Sequence, residues 1–190
     1  MTTPTSTSTN IRLGYRAQRV ERLGVEPGMR DERIVHELDG MLAAVKPARL
    51  ETIGRDLWSA WTADPGHGRP DLLLGLDAGG IPPTMALALA ADLPYRLAWK
   101  LDLALPHKQK FAEPHARRTD VFTYAEFAGL RLLVVDDEIT TGHTAANLVA
   151  MLRAAGAVVA GIVCLVEDST GGGRARLAEI GVPLCTLTTL

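Results

Sequence analysis

From residue 70 onwards the chain alternates short apolar runs with segments whose apolar residues recur at helical spacing. The apolar runs predict strands at residues 72–76, 95–102, 121–124, 132–135, 158–166 and 183–188. Between them, helices are predicted after Pro82, from Ala145 to Ala155, and after the glycines at 171–173. Strands that alternate with helices across short turns form a parallel sheet with helices on both faces. The pattern therefore predicts an α/β fold, with ligands at the carboxyl ends of the strands.

The part of the chain before residue 70 has a different pattern. One side of a helix over residues 11–22 would carry Arg12, Arg16, Arg19 and Arg22. Helical stripes are also predicted over residues 31–46 and 50–61, and the second stops at Asp64, Pro65 and Gly66. We therefore predict a helical segment over residues 11–66, without the strand pair of a winged DNA-binding domain. Residues 1–10 are rich in threonine and serine, which predicts a disordered tail that is neither a signal peptide nor an anchor.

Composition and charge narrow the class of protein. A chain of 190 residues is the size of one domain, large enough to bury roughly 70% of its unfolded surface. The formal net charge of −2 gives no electrostatic case for a nucleic-acid or membrane partner. No apolar run approaches membrane-spanning length, so a cytoplasmic location is expected. Cys164 and Cys185 lie in apolar runs and are expected to pack as small hydrophobic residues.

The candidate chemistry is concentrated in residues 132–144, where an apolar run leads into two carboxylates and a turn rich in hydroxyl groups. Amides and hydroxyls of such a turn, with the dipole of the following helix, suit a phosphate. Carboxylates repel a phosphate, so Asp136 and Asp137 suit a sugar diol, a divalent cation or positive charge on a sugar ring. A phosphorylated ribose satisfies both subsites. The phosphate subsite would consist of Thr140, Thr141, Gly142, His143 and Thr144.

Two other interpretations of this stretch exist. Acids at a strand end are often just solvated, and threonine-rich turns are common helix caps. A two-component receiver domain also has a strand that ends in Val-Asp-Asp-Glu, but it needs a later phosphoacceptor aspartate and a later lysine. Asp168 is the only aspartate after the acidic pair, and no lysine lies beyond Lys110. This inventory excludes the receiver domain.

The stretch resembles the signature of type I phosphoribosyltransferases for 5-phosphoribosyl 1-diphosphate (PRPP): an apolar strand, two acids, two variable residues, Thr-Thr-Gly and a small hydroxyl residue. The resemblance implies a mostly parallel sheet of about five strands flanked by helices, and a small hood formed by the N-terminal segment and the C-terminal end. It implies one domain over residues 11–190, with a PRPP-binding core over 70–190, and a homodimer. It also implies Mg²⁺ as cofactor at Asp136 and Asp137, directly or through water, and a catalytic role for both acids.

The loop after the strand at 72–76 contains a Gly-Gly pair that lets a ligand approach the backbone closely. It resembles the family's diphosphate loop, most closely the Thr-Gly-Gly-Ile-Pro form of orotate phosphoribosyltransferases. The resemblance implies diphosphate contacts with Asp77, Ala78, Gly79 and Gly80. It also implies a strained non-proline cis peptide near residues 77–79.

Residues 100–118 form a long cationic connection, and such segments in compact domains are usually lids or disordered. In the family this segment closes over the diphosphate. By resemblance, Lys100, Lys108 and Lys110 would bind the diphosphate and Lys100 would also be catalytic. Trp99 stands where orotate enzymes carry an arginine.

Residues 166–190 resemble the end of orotate phosphoribosyltransferases, in which a strand ends in Asp-Arg-Glu before a glycine-led helix. Glu167 and Asp168 occupy that place and are the candidates for contacts with the base and the hood. The resemblance favours orotate as the acceptor. A purine such as adenine or xanthine, or a base in the biosynthesis of a modified nucleoside, is the alternative. A regulator that senses PRPP without catalysis is the alternative from another class.

Overall fold

A computed structural model of the protein describes residues 15–25, 31–114, 116 and 119–190. The strands are β1 (Ala17–Glu21), β2 (Glu32–His36), β3 (Leu72–Leu76), β4 (Tyr95–Ala98), β5 (Lys108–Ala112), β6 (Asp120–Tyr124), β7 (Arg131–Ile139), β8 (Val158–Glu167) and β9 (Leu184–Thr189). The helices are α1 (Pro47–Thr62), α2 (Ile81–Ala91), α3 (His143–Ala154) and α4 (Gly173–Glu179). The tail predicted at residues 1–10 lies outside the described residues. Within the described part, no helix is both long and apolar enough to cross a membrane.

The centre of the fold is a five-stranded parallel sheet in the order β4-β3-β7-β8-β9. Successive side chains of a strand point to opposite faces, so the central strand β7 contributes to two hydrophobic cores. Leu132 and Val134 belong to the core that also contains α3 and α4, whereas Leu133 and Val135 belong to the core with α1 and α2. The predicted α/β fold with helices on both faces is confirmed.

The helices α1 and α2 cross closely on one face of the sheet. A Cβ atom added to Gly54 of α1 would lie 2.3 Å from the carbonyl oxygen of Ala86 in α2, so only glycine allows this approach. The first turn of α2 contains Pro82 and Pro83, which suit a helix start because they lack an amide hydrogen there. The start of α2 therefore sits directly after the carboxyl end of β3.

The N-terminal segment departs from the prediction. Instead of helices, the described residues form an antiparallel hairpin in which β1 pairs with β2, from Ala17 opposite His36 to Glu21 opposite Glu32. The expectation that this segment lacks a strand pair is therefore wrong as well. The helix predicted over residues 50–61 is present as α1.

Residues 31–46 do not form the predicted helix for two reasons: part of the segment pairs with β1, and a turn at Asp39 follows β2. Ile34 and Val35 are β-branched and favour a strand once a partner strand is present. The Asp39 side chain accepts hydrogen bonds from the backbone amides of His36 and Met41, at 2.9 and 2.7 Å, and so ends the strand. Met41, placed on the predicted helical stripe, is 62% exposed.

The long cationic connection predicted at residues 100–118 is partly a strand. β5 pairs antiparallel with β6, and a bridge between Trp99 and Phe122 joins this two-stranded arm to the end of β4. Pairing with β6 supplies β5 with the backbone hydrogen bonds that a free loop lacks. The arm therefore stands beside the carboxyl end of the sheet.

The signature strand is also longer than predicted. The apolar run ends at Val135, but β7 continues to Ile139 because β8 is long enough to pair with it, with Asp136 opposite Cys164 and Glu138 opposite Val166. The two acids are thus held inside a ladder at its carboxyl end.

Candidate active site

A cleft of about 340 Å³ opens at the carboxyl end of the parallel sheet. Most of the segments that the sequence singled out meet in it: the loop after β3, the acidic end of β7, the turn before α3, and Lys100. The cleft is also lined by Glu32 and Arg33 of the hairpin and by Arg22, the residue after β1. The cleft therefore lies between the core and the N-terminal hairpin.

The two acids of β7 have opposite electrostatic environments. Burial and the negative charge of Asp137 raise the pKa of Asp136 well above its ordinary value. Burial also raises the pKa of Asp137, but hydrogen bonds from His36 and Asp136 outweigh it and hold that pKa below the ordinary value. The backbone amide of Asp137 donates to Asp136 Oδ1 at 2.9 Å. Asp137 is therefore the carboxylate of the pair that stays ionised.

Asp137 lies against the loop that follows β3. A Cβ atom added to Gly79 would lie 1.9 Å from Asp137 Oδ2, so the missing side chain of Gly79 makes room for this carboxylate. His36 of β2 approaches the same oxygen, with Nε2 at 3.4 Å. No local pattern indicates the contact with His36, because it forms between residues far apart in the chain.

The turn at 140–144 is braced from behind by α4. The carbonyl oxygen of Thr140 accepts from the Gly173 amide at 2.7 Å, and that of Thr141 accepts from Arg176 Nε at 2.8 Å. Gly142 has a positive φ of 71° and precedes the first residue of α3. The free amides at a helix N-terminus attract an anion. All five residues predicted for the phosphate line the cleft.

The loop after β3 presents Asp77, Ala78 and Gly79 to the cleft, whereas Gly80 is buried at the start of α2. The peptide bond between Asp77 and Ala78 is cis, as the family resemblance implied. The Asp77 carboxylate accepts from the backbone amide of Lys100 at 3.4 Å. This bond ties the loop to the residues that follow β4.

The three predicted lysines are not equivalent. Lys100 lines the cleft, and its Nζ lies 2.9 Å from Glu113 Oε2, which also lines the cleft. Lys108 and Lys110 lie on β5 and pair with Asp102 and Asp120, at 2.8 and 3.2 Å, and neither lines the cleft. In this conformation the structure brings only Lys100 to the predicted diphosphate subsite.

Glu167 and Asp168, predicted to contact the base or the hood, do not line the cleft. Arg174 of α4 binds the Glu167 carboxylate with two of its nitrogens. Arg19 of β1 donates to Asp168 Oδ1 at 2.8 Å, so Asp168 does contact the hairpin. Both acids therefore connect the end of β8 to another element: Glu167 connects it to α4, and Asp168 connects it to the hairpin.

The residues on the hairpin side of the cleft were not predicted as site residues. Arg22, Glu32 and Arg33 could not be placed because the pairing of β1 with β2 was not predicted. The two arginines offer hydrogen-bond donors, and Glu32 offers an acceptor, to a ligand bound in the cleft beside Asp136 and Asp137.

The residues of the cleft fit a magnesium ion that arrives with its substrate. Within the described ranges, no group of three or more histidine, cysteine or acidic side chains could hold a metal ion. Mg²⁺ is often bound by one or two carboxylates together with substrate phosphates. Asp136 and Asp137, which share the cleft with the loop at 77–79, supply that donor set.

Comparison with protein families identifies the class to which this fold and cleft belong. The family model described as phosphoribosyl transferase domain matches residues 46–182. The chain belongs to the type I phosphoribosyltransferase family, as the signature predicted.

Similar proteins include phosphoribosyltransferases of two purines, xanthine and adenine. A xanthine phosphoribosyltransferase of Chloroflexus aurantiacus is 36% identical over 126 residues, 63% of this chain and 60% of that protein. An adenine phosphoribosyltransferase of Streptomyces coelicolor is 40% identical over 123 residues, 62% of this chain and 68% of that protein.

Solved structures show the same fold. The adenine phosphoribosyltransferase of Thermoanaerobacter pseudethanolicus gives a TM-score of 0.71 at 18% identity, over 91% of this chain and 95% of that one. The orotate phosphoribosyltransferase of Mycobacterium tuberculosis gives a TM-score of 0.55 at 24% identity, over 83% of this chain and 78% of that one. The relatives thus do not support orotate, the acceptor favoured by sequence, and agree better with the purine alternative.

Proposed function

We propose that the protein transfers ribose 5-phosphate from PRPP to a purine base and releases diphosphate. The observation that carries the proposal is one cleft that brings together the Asp137 carboxylate, a helix-start turn and a glycine loop. These three parts match the hydroxyls, the 5-phosphate and the diphosphate of PRPP. The purine acceptor rests on the xanthine and adenine phosphoribosyltransferases among the relatives.

In the proposed reaction the bond from ribose C1 to diphosphate breaks and a bond from C1 to a base nitrogen forms, with inversion at C1. The nitrogen loses its proton, and diphosphate leaves with the bonding electrons. Breaking the first bond leaves oxocarbenium character on the ribose, as in glycoside chemistry. The ionised Asp137 stabilises that charge and accepts hydrogen bonds from ribose hydroxyls.

The other residues of the cleft hold PRPP for this step. The turn at 140–144 fixes the 5-phosphate, an anchor remote from the breaking bond that orients C1. The loop at 77–79 and Lys100 receive the diphosphate. Asp136 and Asp137 would hold Mg²⁺, which when bound would supply Lewis-acid stabilisation of the leaving group. Arg22, Glu32 and Arg33 face the remaining space, in which the base is placed.

A screen of bases tests the proposal. Adenine, guanine, hypoxanthine, xanthine, uracil and orotate are each incubated with PRPP, Mg²⁺ and the protein, and diphosphate release is measured. We expect release with one or more purines and none with the pyrimidines. Release with orotate alone would contradict the purine assignment. Binding of PRPP without release for any base would favour the PRPP-sensing regulator instead.

A further inference from the structure

Three residues from distant parts of the chain form a buried chain of polar contacts behind the cleft. The Tyr15 hydroxyl lies 3.0 Å from His36 Nδ1, and His36 Nε2 lies 3.4 Å from Asp137 Oδ2. His36 is 1% exposed and Tyr15 is 8% exposed. A buried imidazole needs partners for both of its nitrogens, and these contacts supply them.

The backbone fixes which nitrogen of His36 carries the hydrogen. The amide of Leu38 lies 3.3 Å from Nδ1 and can only donate, so Nδ1 accepts. The ring hydrogen is then on Nε2, where it points at Asp137. The 3.4 Å separation is at the long end of the hydrogen-bond range, as is common for catalytic contacts before substrate binds.

We propose that His36 is a positioning residue that holds the Asp137 carboxylate for the ribose of PRPP, an inference that rests on the proposed function. Its Nε2–H holds Oδ2 from the hairpin side, while Gly79 bounds the same carboxylate from the loop side. With Oδ2 held, Oδ1 is left to accept from a ribose hydroxyl.

The place of His36 suits an imidazole better than a lysine or arginine. A lysine or arginine there would neutralise Asp137 and weaken its attraction for the positive charge that develops on the ribose. Arg33, which also lowers the pKa of Asp137, is exposed at the rim of the cleft.

Three variants test the inference through diphosphate release with the base found in the screen. His36→Leu keeps an apolar side chain of similar size and removes the donor, and we expect kcat to fall about 10- to 100-fold, as for other residues that orient a ligating group. His36→Gln offers an amide donor near the place of Nε2 and should recover much of that loss. Tyr15→Phe leaves the Leu38 contact in place and should cost less than His36→Leu.

The matched control is Glu37→Gln. Glu37 is the next residue in the chain, and its carboxylate binds Arg49 of α1 with two hydrogen bonds, away from the cleft. This variant should lower the melting temperature by loosening the hairpin, yet leave kcat at the wild-type value. If kcat falls in both His36→Leu and Glu37→Gln, in proportion to the fall in melting temperature, the role of His36 is merely structural. That result would overturn the inference.

A measurement on the wild-type protein covers the case in which His36→Leu does not fold. The ¹⁵N shifts of the imidazole should identify the Nε2–H tautomer, and they should change in Asp137→Asn. The Nδ1–H tautomer would overturn the inference, as would an unchanged kcat in a folded His36→Leu. If wild-type protein neither binds PRPP nor releases diphosphate with any base, the proposed function fails first, and the role of His36 falls with it.

Discussion

The two acids of β7 are neighbours in sequence, yet their surroundings separate them. Asp136 is buried and its pKa is raised by burial and by the adjacent negative charge, so it is the member of the pair that protonates more easily. Asp137 receives hydrogen bonds that offset its burial and keep it ionised. At the scale of single residues, Asp137 thus carries the negative charge of the pair, and Asp136 donates a hydrogen bond that lowers the pKa of Asp137.

Replacement of Asp137 by Asn tests this division. The amide keeps the size of the side chain and loses its charge, so we expect the fold to survive and kcat to fall about 10²–10³-fold. The rate of diphosphate release with the preferred purine is the measurement. Asp102→Asn, which removes an acid that pairs with Lys108 outside the cleft, is the control and should retain wild-type activity. An unchanged rate for the Asp137 variant would contradict the assignment.

Gly79→Ala gives a second prediction for the same carboxylate. The new Cβ would lie 1.9 Å from Asp137 Oδ2, so the carboxylate must move or the loop must shift. A misplacement of this kind lowers kcat/KM for PRPP by about 10²-fold. Gly66→Ala is the matched control because its Cβ meets only the Asp64 side chain, at 3.1 Å. Equal kcat/KM for the two variants would show that Asp137 does not need its present position.

At the scale of elements, the hairpin of β1 and β2 is the part that encloses the cleft, and charged side chains attach it at two places. Arg19 of β1 binds Asp168 after β8, and Arg49 of α1 binds Glu37 after β2. Burial raises the pKa of both acids, but hydrogen bonds outweigh it and lower each pKa below its ordinary value. These attachments therefore depend on pH.

The direction of this dependence follows from the lowered pKa values. A carboxyl group with a lowered pKa in the folded state stabilises the fold above its unfolded pKa, about 4, and loses that contribution as pH falls through the folded value. We expect hydrogen exchange of the hairpin, corrected for intrinsic rates, to increase below about pH 4, before that of α3. In Glu37→Gln the hairpin should exchange faster at neutral pH and respond less to acid. Hairpin exchange that does not change with acid would contradict the prediction.

At the scale of the whole molecule, the parallel sheet gathers ligand groups from segments that are 60 residues apart in sequence, such as Asp77 and Asp137. Asp77 follows β3 and Asp137 lies near the carboxyl end of β7, and these two strands are neighbours in the sheet. A ligand that contacts both Asp77 and Asp137 therefore binds only the folded chain, and it stabilises the fold by mass action. The homodimer implied by the family resemblance stays a prediction.

PRPP with Mg²⁺ should accordingly raise the melting temperature. At a ligand concentration 100 times Kd the stabilisation is about 2.7 kcal/mol, which for a chain of this size corresponds to a shift of about 5–10 °C. Differential scanning fluorimetry with and without ligand measures it, and Asp137→Asn should show a smaller shift. No shift at millimolar PRPP would argue against the cleft as the PRPP site.

The sequence alone determined the parts of this protein that depend on local pattern. The apolar runs at 72–76 and 132–135 gave the strands β3 and β7, and helical spacing gave α1, α2 and α3, because burial follows the period of each element. The stretch from Asp136 to Thr144 indicated the ligand chemistry, since its residue types and order carry that information. The family followed from the same stretch.

Only the tertiary structure decided what depends on pairing across the chain. Residues 31–46 fit a helix locally, and the partner strand β1 made part of them a strand, which brought His36 to Asp137 and Arg33 to the cleft. Lys108 and Lys110 lie on β5, outside the cleft, because this segment pairs with β6. Such contacts join residues far apart in sequence, and a local pattern carries no information about which distant segment will supply the partner.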